Sequence, residues 1–297
     1  MRKIIVQFSG GKDSQACLIY ACELYGNENV TAVFCDTGWE HELTYQHVKD
    51  ITSQLRVELV ILKNKNVDGM VGLCKRMRWF PGTTQRMCTV QLKIQPMIDY
   101  VLEQDCDILL IQGIRAAESA SRSKLSCSGE YFAEYQDADR KKNLYRKTDV
   151  LKWCENHKCI VDRPMFGVSA QYIIDYILAR GQQPNPLYKR GCSRVGCYPC
   201  IYARLSEIKI ISKDKPYVDR LVNLEKEVNA LKEGEDVTPS SFFNKGKIPN
   251  RFCKTFGRGI ATFEEICAYV KRDDAQFDLF EPEGGYTCMS MYHGLCE

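Results

Sequence analysis

The chain has 297 residues, of which 44% are hydrophobic and 27% are charged. This composition is typical of an enzyme-sized globular protein and excludes a largely disordered chain. The 41 Lys and Arg residues against 38 Asp and Glu give a formal charge of +3, too near balance to indicate a nucleic-acid partner by itself. The first apolar run stops at Phe8, and no stretch approaches the roughly 18 apolar residues of a membrane span. We therefore expect a cytoplasmic protein with no membrane association.

Strand-like and helix-like segments alternate through the first half of the chain. The predicted strands cover residues 3–8, 30–35, 57–62 and 107–112, and the predicted helices cover residues 14–25, 42–55 and 89–104. This alternation predicts an α/β fold with a parallel twisted sheet and helices on both faces. The pattern weakens over 124–162, which fits either a hairpin or an insertion over the sheet edge.

Helical patterns dominate the rest of the chain. A helix predicted over 170–179 is ended by Gly181, and further helices are predicted over 217–232 and 262–272. We predict a first domain over 1–204 and a smaller, mainly helical C-terminal region over 205–297. Residues 234–246 are a linker candidate.

A glycine-rich loop, Ser9-Gly10-Gly11-Lys12-Asp13-Ser14, lies between the first predicted strand and the first predicted helix. At such a position backbone N–H groups and the helix N-terminus bind anions, and the lysine adds a positive charge. Asp13 would orient Mg²⁺ or cap the helix. A plain tight turn explains the Gly and Ser residues but not the lysine. All six residues are predicted to bind a nucleotide, and the short spacing differs from that of a Walker A loop.

The loop resembles the PP-loop of the adenine nucleotide α-hydrolases. The resemblance implies that the chain binds ATP or a close adenine nucleotide with Mg²⁺. It also implies chemistry at the α-phosphorus, with Lys12 and Asp13 in catalytic roles and the loop holding the leaving pyrophosphate.

Two further segments follow predicted strands, where ligands bind in parallel sheets. The first contains Asp36, Thr37, Gly38 and Glu40, and turn formation is the alternative explanation for its composition. Asp-Thr-Gly-x-Glu, followed by a threonine, resembles the second signature of the PAPS reductase-like proteins, where PAPS is phosphoadenylyl sulfate. These four residues are predicted to bind the nucleotide.

The second segment begins at Gly113 and continues through Arg115, Glu118 and Arg122. Helical spacing would place the three charged residues near one face, and Glu118 with Arg122 also fits a simple surface ion pair. The segment resembles the third signature of the same family, in which arginines approach phosphate or sulfate. We predict that Arg115 faces the ligand as a catalytic residue, with Glu118 and Arg122 in support.

The chain has sixteen cysteines, most of them single residues within apolar segments. Cys192, Cys197 and Cys200 instead form a tight group, which predicts one shared site. A site made of thiolates alone suits zinc or an iron–sulfur cluster, and either needs a fourth ligand. We predict that this ligand is Cys88, which lies at the start of a predicted helix, where a thiolate is favoured. Free or redox-active thiols remain an alternative.

The spacing of these cysteines, with Arg86-x-Cys-Thr-x-x-Leu-Lys93 and Asn185-Pro186-Leu187-Tyr188, resembles the PAPS reductase-like branch that carries a 4Fe–4S cluster. That branch includes the ATP pyrophosphatase of DNA phosphorothioation systems. The resemblance implies an ATP pyrophosphatase or adenylating sulfurtransferase. Its partners would include a sulfur donor such as a cysteine desulfurase and proteins that modify DNA or RNA.

Two other functions stay open. One is an adenylyl sulfate (APS) or PAPS reductase, in which a C-terminal cysteine attacks the sulfate sulfur and sulfite is released. The reductases end near Glu-Cys-Gly-Leu-His, whereas this chain ends His293-Gly294-Leu295-Cys296-Glu297, so the assignment of Cys296 as nucleophile departs from the family pattern. The other is a nucleotide-sensing or DNA-modification accessory subunit.

Overall fold

The protein was analysed as a computed structural model, which describes residues 2–137, 144–232 and 238–277. Its six strands are β1 Lys3–Gln7, β2 Val30–Cys35, β3 Glu58–Leu62, β4 Ile108–Gln112, β5 Ser128–Glu130 and β6 Cys159–Asp162. They form one sheet in the order β3-β2-β1-β4-β6-β5. All neighbouring strands are parallel except β5, which pairs antiparallel with β6 at the edge. The predicted parallel α/β sheet is confirmed.

The described helices connect the strands and continue beyond the sheet. They are α1 Lys12–Tyr25, α2 Glu42–Leu55, α3 Gly69–Met77, α4 Met87–Thr89, α5 Gln95–Leu102, α6 Ala133–Gln136, α7 Lys147–Cys154, α8 Ala170–Leu178, α9 Leu205–Ile211, α10 Lys215–Ala230 and α11 Phe263–Val270. A π-helical stretch, Val90–Ile94, joins α4 to α5 without a break. No helix in the described ranges is long and apolar enough to cross a bilayer.

The side chains of the central strands point alternately into two hydrophobic cores, one on each face of the sheet. In β1, Ile4 and Val6 face a core shared with α1, α2 and α8, whereas Ile5 faces a core shared with α5 and α7. Since side chains of a strand point alternately to opposite faces, a continuous apolar run such as β1 is what a doubly covered sheet requires. Helices on both faces are thereby confirmed.

The stretch over 124–162, which the pattern left undecided, contains both sheet and helix. It adds β5 and β6 to the sheet beside β4, with α6 and α7 between them. The segment is therefore part of the sheet, and β6 is an inner strand. Its short strands gave a weak periodicity because four residues in β6 and three in β5 are too few to establish one.

A third core lies beside the sheet and joins the C-terminal helices to the rest. It combines Trp39, Phe80 and Leu187 with Leu221 of α10 and Phe263 of α11. Residues on both sides of position 204 are therefore buried against one another. Two short helices that the pattern did not predict, α3 and α9, also contribute to this core through Leu73 and Ile208.

Candidate nucleotide-binding site

The loop between β1 and α1 is held in a tight conformation by close backbone contacts. Gly10 has φ +77°, and a Cβ at this position would lie 2.9 Å from Cγ2 of Thr44. The Ser14 hydroxyl donates to the Gly11 carbonyl oxygen at 2.9 Å and accepts from the Ser9 amide at 3.2 Å. Glycine at position 10 thus serves both the positive φ and the close approach of α2.

Three charged side chains at this loop are buried, two from the loop and one from the segment after β4. Lys12, Asp13 and Arg115 are 4%, 8% and 2% exposed. Asp13 Oδ2 lies 3.4 Å from Lys12 Nζ, and Asp13 Oδ1 accepts a short hydrogen bond from Arg115 Nε. Burial lowers the pKa of Lys12, but Tyr188 and Asp13 outweigh it and raise the pKa above its ordinary value. Asp13 therefore binds two cations, and the helix N-cap is Gly11.

The segment after β4 approaches the start of α1 very closely. A Cβ on Gly113 would lie 2.5 Å from the Ser14 Cα and backbone nitrogen, so only glycine fits there. Arg115 follows in an extended conformation, and Ala116–Glu118 forms a 3₁₀ turn. The predicted common helical face is therefore wrong, because this segment contains no α-helix.

A cavity of about 490 Å³ opens where the chain switches from one side of the sheet to the other, between β1 and β4. The carboxyl ends of these strands provide Gln7 and Gln112, and the loop provides Ser9 and Ser14. In open α/β sheets this switch point is where ligands bind. The far wall is mainly apolar, with Phe34, Ile94, Ile98, Tyr131, Phe132 and Tyr135.

The predicted nucleotide-binding residues divide into two groups. Those that line the cavity are Ser9, Ser14, Glu40, Gly113 and Arg122. The others lie beneath or beside it: Gly10, Gly11, Lys12, Asp13, Asp36, Thr37, Gly38, Arg115 and Glu118. The cavity thus contains only part of the predicted set.

The two arginines differ in their relation to the cavity. Arg115 is buried against Asp13, although its Nη1 has no hydrogen-bond partner among the described residues. Arg122, predicted to be a support, lines the cavity and forms an ion pair with Glu118. This difference follows from the 3₁₀ turn between the two residues. Arg115 precedes the turn and contacts Asp13, whereas Arg122 follows the turn and lines the cavity.

The acidic loop after β2 is held by its own hydrogen bonds. Glu40 is buried and accepts from the Thr37 hydroxyl at 2.7 Å and from the Tyr45 hydroxyl at 3.0 Å. Asp36 accepts from Tyr45 at 2.7 Å and forms an ion pair with Lys63 at 3.0 Å. Burial raises the pKa of Asp36, but Tyr45, the Gly38 amide and Lys63 lower it further, so its pKa lies below the ordinary value. Both carboxylates therefore have protein partners.

The cysteine segment packs against this acidic loop. Glu40 and Cys197 form an isolated antiparallel bridge, and the Cys197 sulfur lies 3.8 Å from the Thr37 hydroxyl. Burial raises the pKa of Cys197 to about 11, although Lys93 lowers it, and burial likewise raises the pKa values of Cys88 and Cys200. Cys88, Cys197 and Cys200 are close enough to affect one another's ionisation.

Cys192 has different surroundings. Burial and the carboxylate of Glu207 raise its pKa to about 12. The described parts of the chain contain no group of three or more Cys, His, Asp or Glu side chains arranged to hold a metal ion. The four predicted ligands lie in one region of the protein, and their role as ligands of a metal or cluster stays a prediction. The other predicted nucleophile, Cys296, lies outside the described residues.

Residues 3–203 match the family model of the phosphoadenosine phosphosulfate reductase domain. The chain belongs to this family. Family membership makes the first two thirds of the chain a PAPS reductase-like nucleotide-binding domain, and it indicates an enzyme. The specific phosphorothioation branch stays a prediction.

The chain is also similar to several other proteins. A 37.8 kDa protein of Escherichia phage 186 is 30% identical, over 99% of this chain and 96% of the relative. Two proteins of Methanocaldococcus jannaschii are each 28% identical, and the matches cover 72% and 66% of this chain but only 39% and 41% of those proteins. The chain therefore spans less than half the length of these two relatives.

Solved structures of two kinds resemble the protein at low identity. The PAPS reductase of Candida auris, in a phosphate complex, is 15% identical with a TM-score of 0.48, over 67% of this chain and 83% of that chain. The FMN adenylyltransferase of Candida glabrata, with FMN and an ATP analogue, is 15% identical with a TM-score of 0.42, over 66% and 55%.

Three residues that contact the site, Lys93, Asn185 and Tyr188, belong to motifs that the sequence marks only as a family resemblance. Lys93 lines the cavity, and Cys197 and Glu40 raise its pKa although burial lowers it. The Tyr188 hydroxyl accepts from the Lys12 amide at 3.1 Å, and Asn185 Nδ2 donates to the Gly10 carbonyl at 3.1 Å. The signal for Lys93 was a charged residue in an apolar helix pattern.

Proposed function

We propose that this protein is an enzyme that binds ATP or a closely related adenine nucleotide in the 490 Å³ cavity and acts at the α-phosphate. An acceptor atom would attack the α-phosphorus, the bond from that phosphorus to the bridging oxygen would break, and pyrophosphate would leave. The observation that carries the proposal is the placement of the Ser9–Ser14 loop. It lies at the start of α1 and at the sheet's switch point, beside a cavity with one apolar wall.

The lining fits the parts of an adenine nucleotide. Its aromatic and aliphatic wall suits a flat base, and the hydroxyls of Ser9 and Ser14 suit phosphate oxygens. Lys93 and Arg122 provide positive charge in the lining of the cavity. Donors and cations fixed at the place where charge develops are the usual source of stabilisation in phosphoryl chemistry.

Lys12, Asp13 and Arg115 would act from beneath the loop. Lys12 and Arg115 together carry one more positive charge than Asp13 neutralises, so the buried group favours an anion above it. The unpartnered Nη1 of Arg115 is a further donor in this group. Because the nearby carboxylates of Asp13, Asp36 and Glu40 already have protein partners, Mg²⁺ would be held mainly by the nucleotide phosphates.

The experiment is a comparison of products from one anaerobic preparation. Pyrophosphate release from ATP is measured against thioredoxin-dependent sulfite release from APS and PAPS. We expect pyrophosphate from ATP, lost in Lys12→Ala and reduced in Arg122→Gln. The control is Lys215→Gln, which removes an exposed lysine that pairs with Asp219 on α10.

The second candidate is a reductase, and the family match over 3–203 favours it as well. Sulfite release that disappears in Cys296→Ser would establish that function and reject the pyrophosphatase. Tight ATP binding with neither product, in the presence or absence of candidate acceptors, would instead support the sensing or accessory role.

A 4Fe–4S cluster on Cys88, Cys192, Cys197 and Cys200, with zinc as the alternative, is a separate proposal. It rests on the resemblance and on the shared region of the four residues, and no step above depends on it. Iron, sulfide and zinc are measured in the anaerobic protein. About four irons per chain that fall in Cys197→Ser would support the cluster, one zinc would support the alternative, and neither metal would leave these residues as free thiols.

A further inference from the structure

Residues 244–259 form a basic segment in a chain that is otherwise nearly neutral. The segment contains five basic residues and no Asp or Glu, whereas the whole chain has a formal charge of only +3. The basic residues are Lys245, Lys247, Arg251, Lys254 and Arg258. We call this stretch the basic segment.

The basic segment has a fixed backbone. The Gly246 amide donates to the Gly259 carbonyl at 2.9 Å and closes the stretch into a loop. Glu265 of α11 accepts from the backbone amides of Lys254 and Thr255, at 2.8 and 2.7 Å. The cations therefore project from a loop that the core of the C-terminal region supports.

Four of these cations are exposed: Lys245, Arg251, Lys254 and Arg258. Within the described ranges none of the four forms an ion pair, although surface lysines elsewhere do, such as Lys63 with Asp36 and Lys75 with Glu227. Arg272 and, to a lesser extent, Arg251 lower the pKa of Asp274, so Arg251 has an acidic neighbour. An excess of cations on a fixed surface produces a positive potential that attracts polyanions.

The aromatic residues of the segment favour nucleic acid over an anionic membrane. Phe252 is half-buried, with the guanidinium groups of Arg251 and Arg272 at 5.0 and 4.9 Å from its ring centre. Proteins that bind single-stranded nucleic acid combine cations along the phosphate backbone with aromatic side chains near the bases. Membrane binding would need large exposed apolar side chains to insert, and the described segment has none.

The basic segment is hydrogen-bonded to two segments of the chain that continue into the lining of the nucleotide cavity. Asn244 Nδ2 donates to the Thr83 hydroxyl at 2.7 Å, and Lys247 Nζ donates to the Ala203 carbonyl at 2.6 Å. Thr83 precedes α4, whose Thr89 lines the cavity, and Ala203 follows the cysteine segment. A ligand along the basic segment would therefore pass the side of the protein where α4 begins.

We propose that the basic segment binds the phosphate backbone of a polynucleotide, which brings an acceptor group to the nucleotide cavity. The location of the acceptor rests on the proposed function, whereas the binding surface does not. Phosphate contacts made by lysine and arginine give affinity without sequence preference and with strong dependence on salt.

The experiment measures binding of the full chain to fluorescent oligonucleotides by anisotropy, over a series of salt concentrations. Single-stranded RNA, single-stranded DNA and duplex DNA are separate arms. The variant combines Lys245→Gln, Lys254→Gln and Arg258→Gln, which leave the hydrogen-bonded backbone unchanged. A matched control combines Lys49→Gln, Lys152→Gln and Lys158→Gln, three exposed lysines on the sheet domain with the same change in charge.

We expect the triple variant to bind at least about tenfold more weakly, and the slope of log K against log salt to fall by about 2, as the loss of three phosphate contacts to a single strand requires. The control should stay within about twofold of the parent. Equal weakening of both variants, or no binding in any arm, would overturn the proposal. So would binding to vesicles of anionic phospholipid in place of the oligonucleotides.

ATP binding is measured on the same samples. If the parent protein binds ATP normally but binds no polynucleotide, the proposal for the basic segment is rejected and the proposed function is not. If the parent protein binds polynucleotide but no ATP, the proposed function is rejected and the proposal for the basic segment is not. A melting temperature equal to that of the parent excludes misfolding as the cause of weaker binding in the variant.

Discussion

Asp13 lies between two buried cations, the ammonium of Lys12 and the guanidinium of Arg115. Its carboxylate brings a residue of α1 and a residue that follows β4 into contact at the Ser9–Ser14 loop. Two cations with one carboxylate leave an excess positive charge, which an anionic ligand would balance. The same arrangement makes the loop sensitive to loss of the carboxylate.

Asp13→Asn should destabilise the protein by about 3 to 5 kcal/mol, since breaking a buried ion pair leaves an uncompensated charge. The free energy of unfolding is measured by urea titration. Asp219→Asn is the comparison, because it removes an exposed partner of Lys215 and should cost no more than about 1 kcal/mol. Equal effects of the two changes would show that the buried group contributes no special stability.

Gly113→Ala tests the close approach of β4 to α1. The added Cβ would lie 2.5 Å from the backbone of Ser14, so the strand end and the helix must separate. We expect a cost of about 1 to 3 kcal/mol and at least about tenfold weaker ATP binding. Gly167→Ala, where nothing lies within 4 Å of the new Cβ, should stay within about 0.5 kcal/mol of the parent. Unchanged ATP binding in Gly113→Ala would count against the loop as the phosphate site.

Helices α1 and α2 meet through buried polar groups as well as apolar ones. His47 of α2 is buried, and its Nε2 lies 3.2 Å from Oε1 of Gln15 in α1. Burial lowers the pKa of His47 from 6.5 to about 4, although Asp50 opposes the change. The folded protein therefore keeps this imidazole neutral in a range where the unfolded chain protonates it.

The sign of the pH effect follows from this difference. Above pH 6.5 both states hold a neutral His47, and between pH 6.5 and 4 only the unfolded state gains a proton, so stability falls as pH falls. The loss should reach about 3 kcal/mol at pH 4. His47→Gln should remove that part of the pH dependence when free energies of unfolding are compared at pH 7 and pH 4. Identical pH profiles for the two proteins would contradict the assignment.

The C-terminal helices and the sheet domain share one core across position 204. Trp39 has Phe242 at a ring distance of 5.9 Å, and Arg220 of α10 lies 3.9 Å from the Trp39 ring. Arg220 also donates to the Tyr198 carbonyl at 2.7 Å, next to the cysteine segment. The helical region thus packs against the acidic loop and the cysteine segment, and the shared core has members on both sides of position 204.

A chain that ends at Arg204 should therefore fail to fold, since it would expose the apolar residues that α10 and α11 cover. Scanning calorimetry of the full chain should show one cooperative transition, and the truncated chain should show none. A truncated chain with its own transition and normal ATP binding would instead establish 1–204 as an autonomous domain.

The sequence by itself determined the parallel sheet and the place of the Ser9–Ser14 loop between a strand and a helix, because both depend on local patterns. Apolar runs such as β1 and β2 are short and bounded, and the Ser9–Ser14 loop needs only its place between a strand and a helix. Tertiary structure alone decided that Arg115 is buried and that Arg122 lines the cavity, because a turn between them reverses their directions. It also decided the shared core, in which Trp39 meets helices nearly two hundred residues later in the chain, since packing between distant segments leaves no periodic signal in either one.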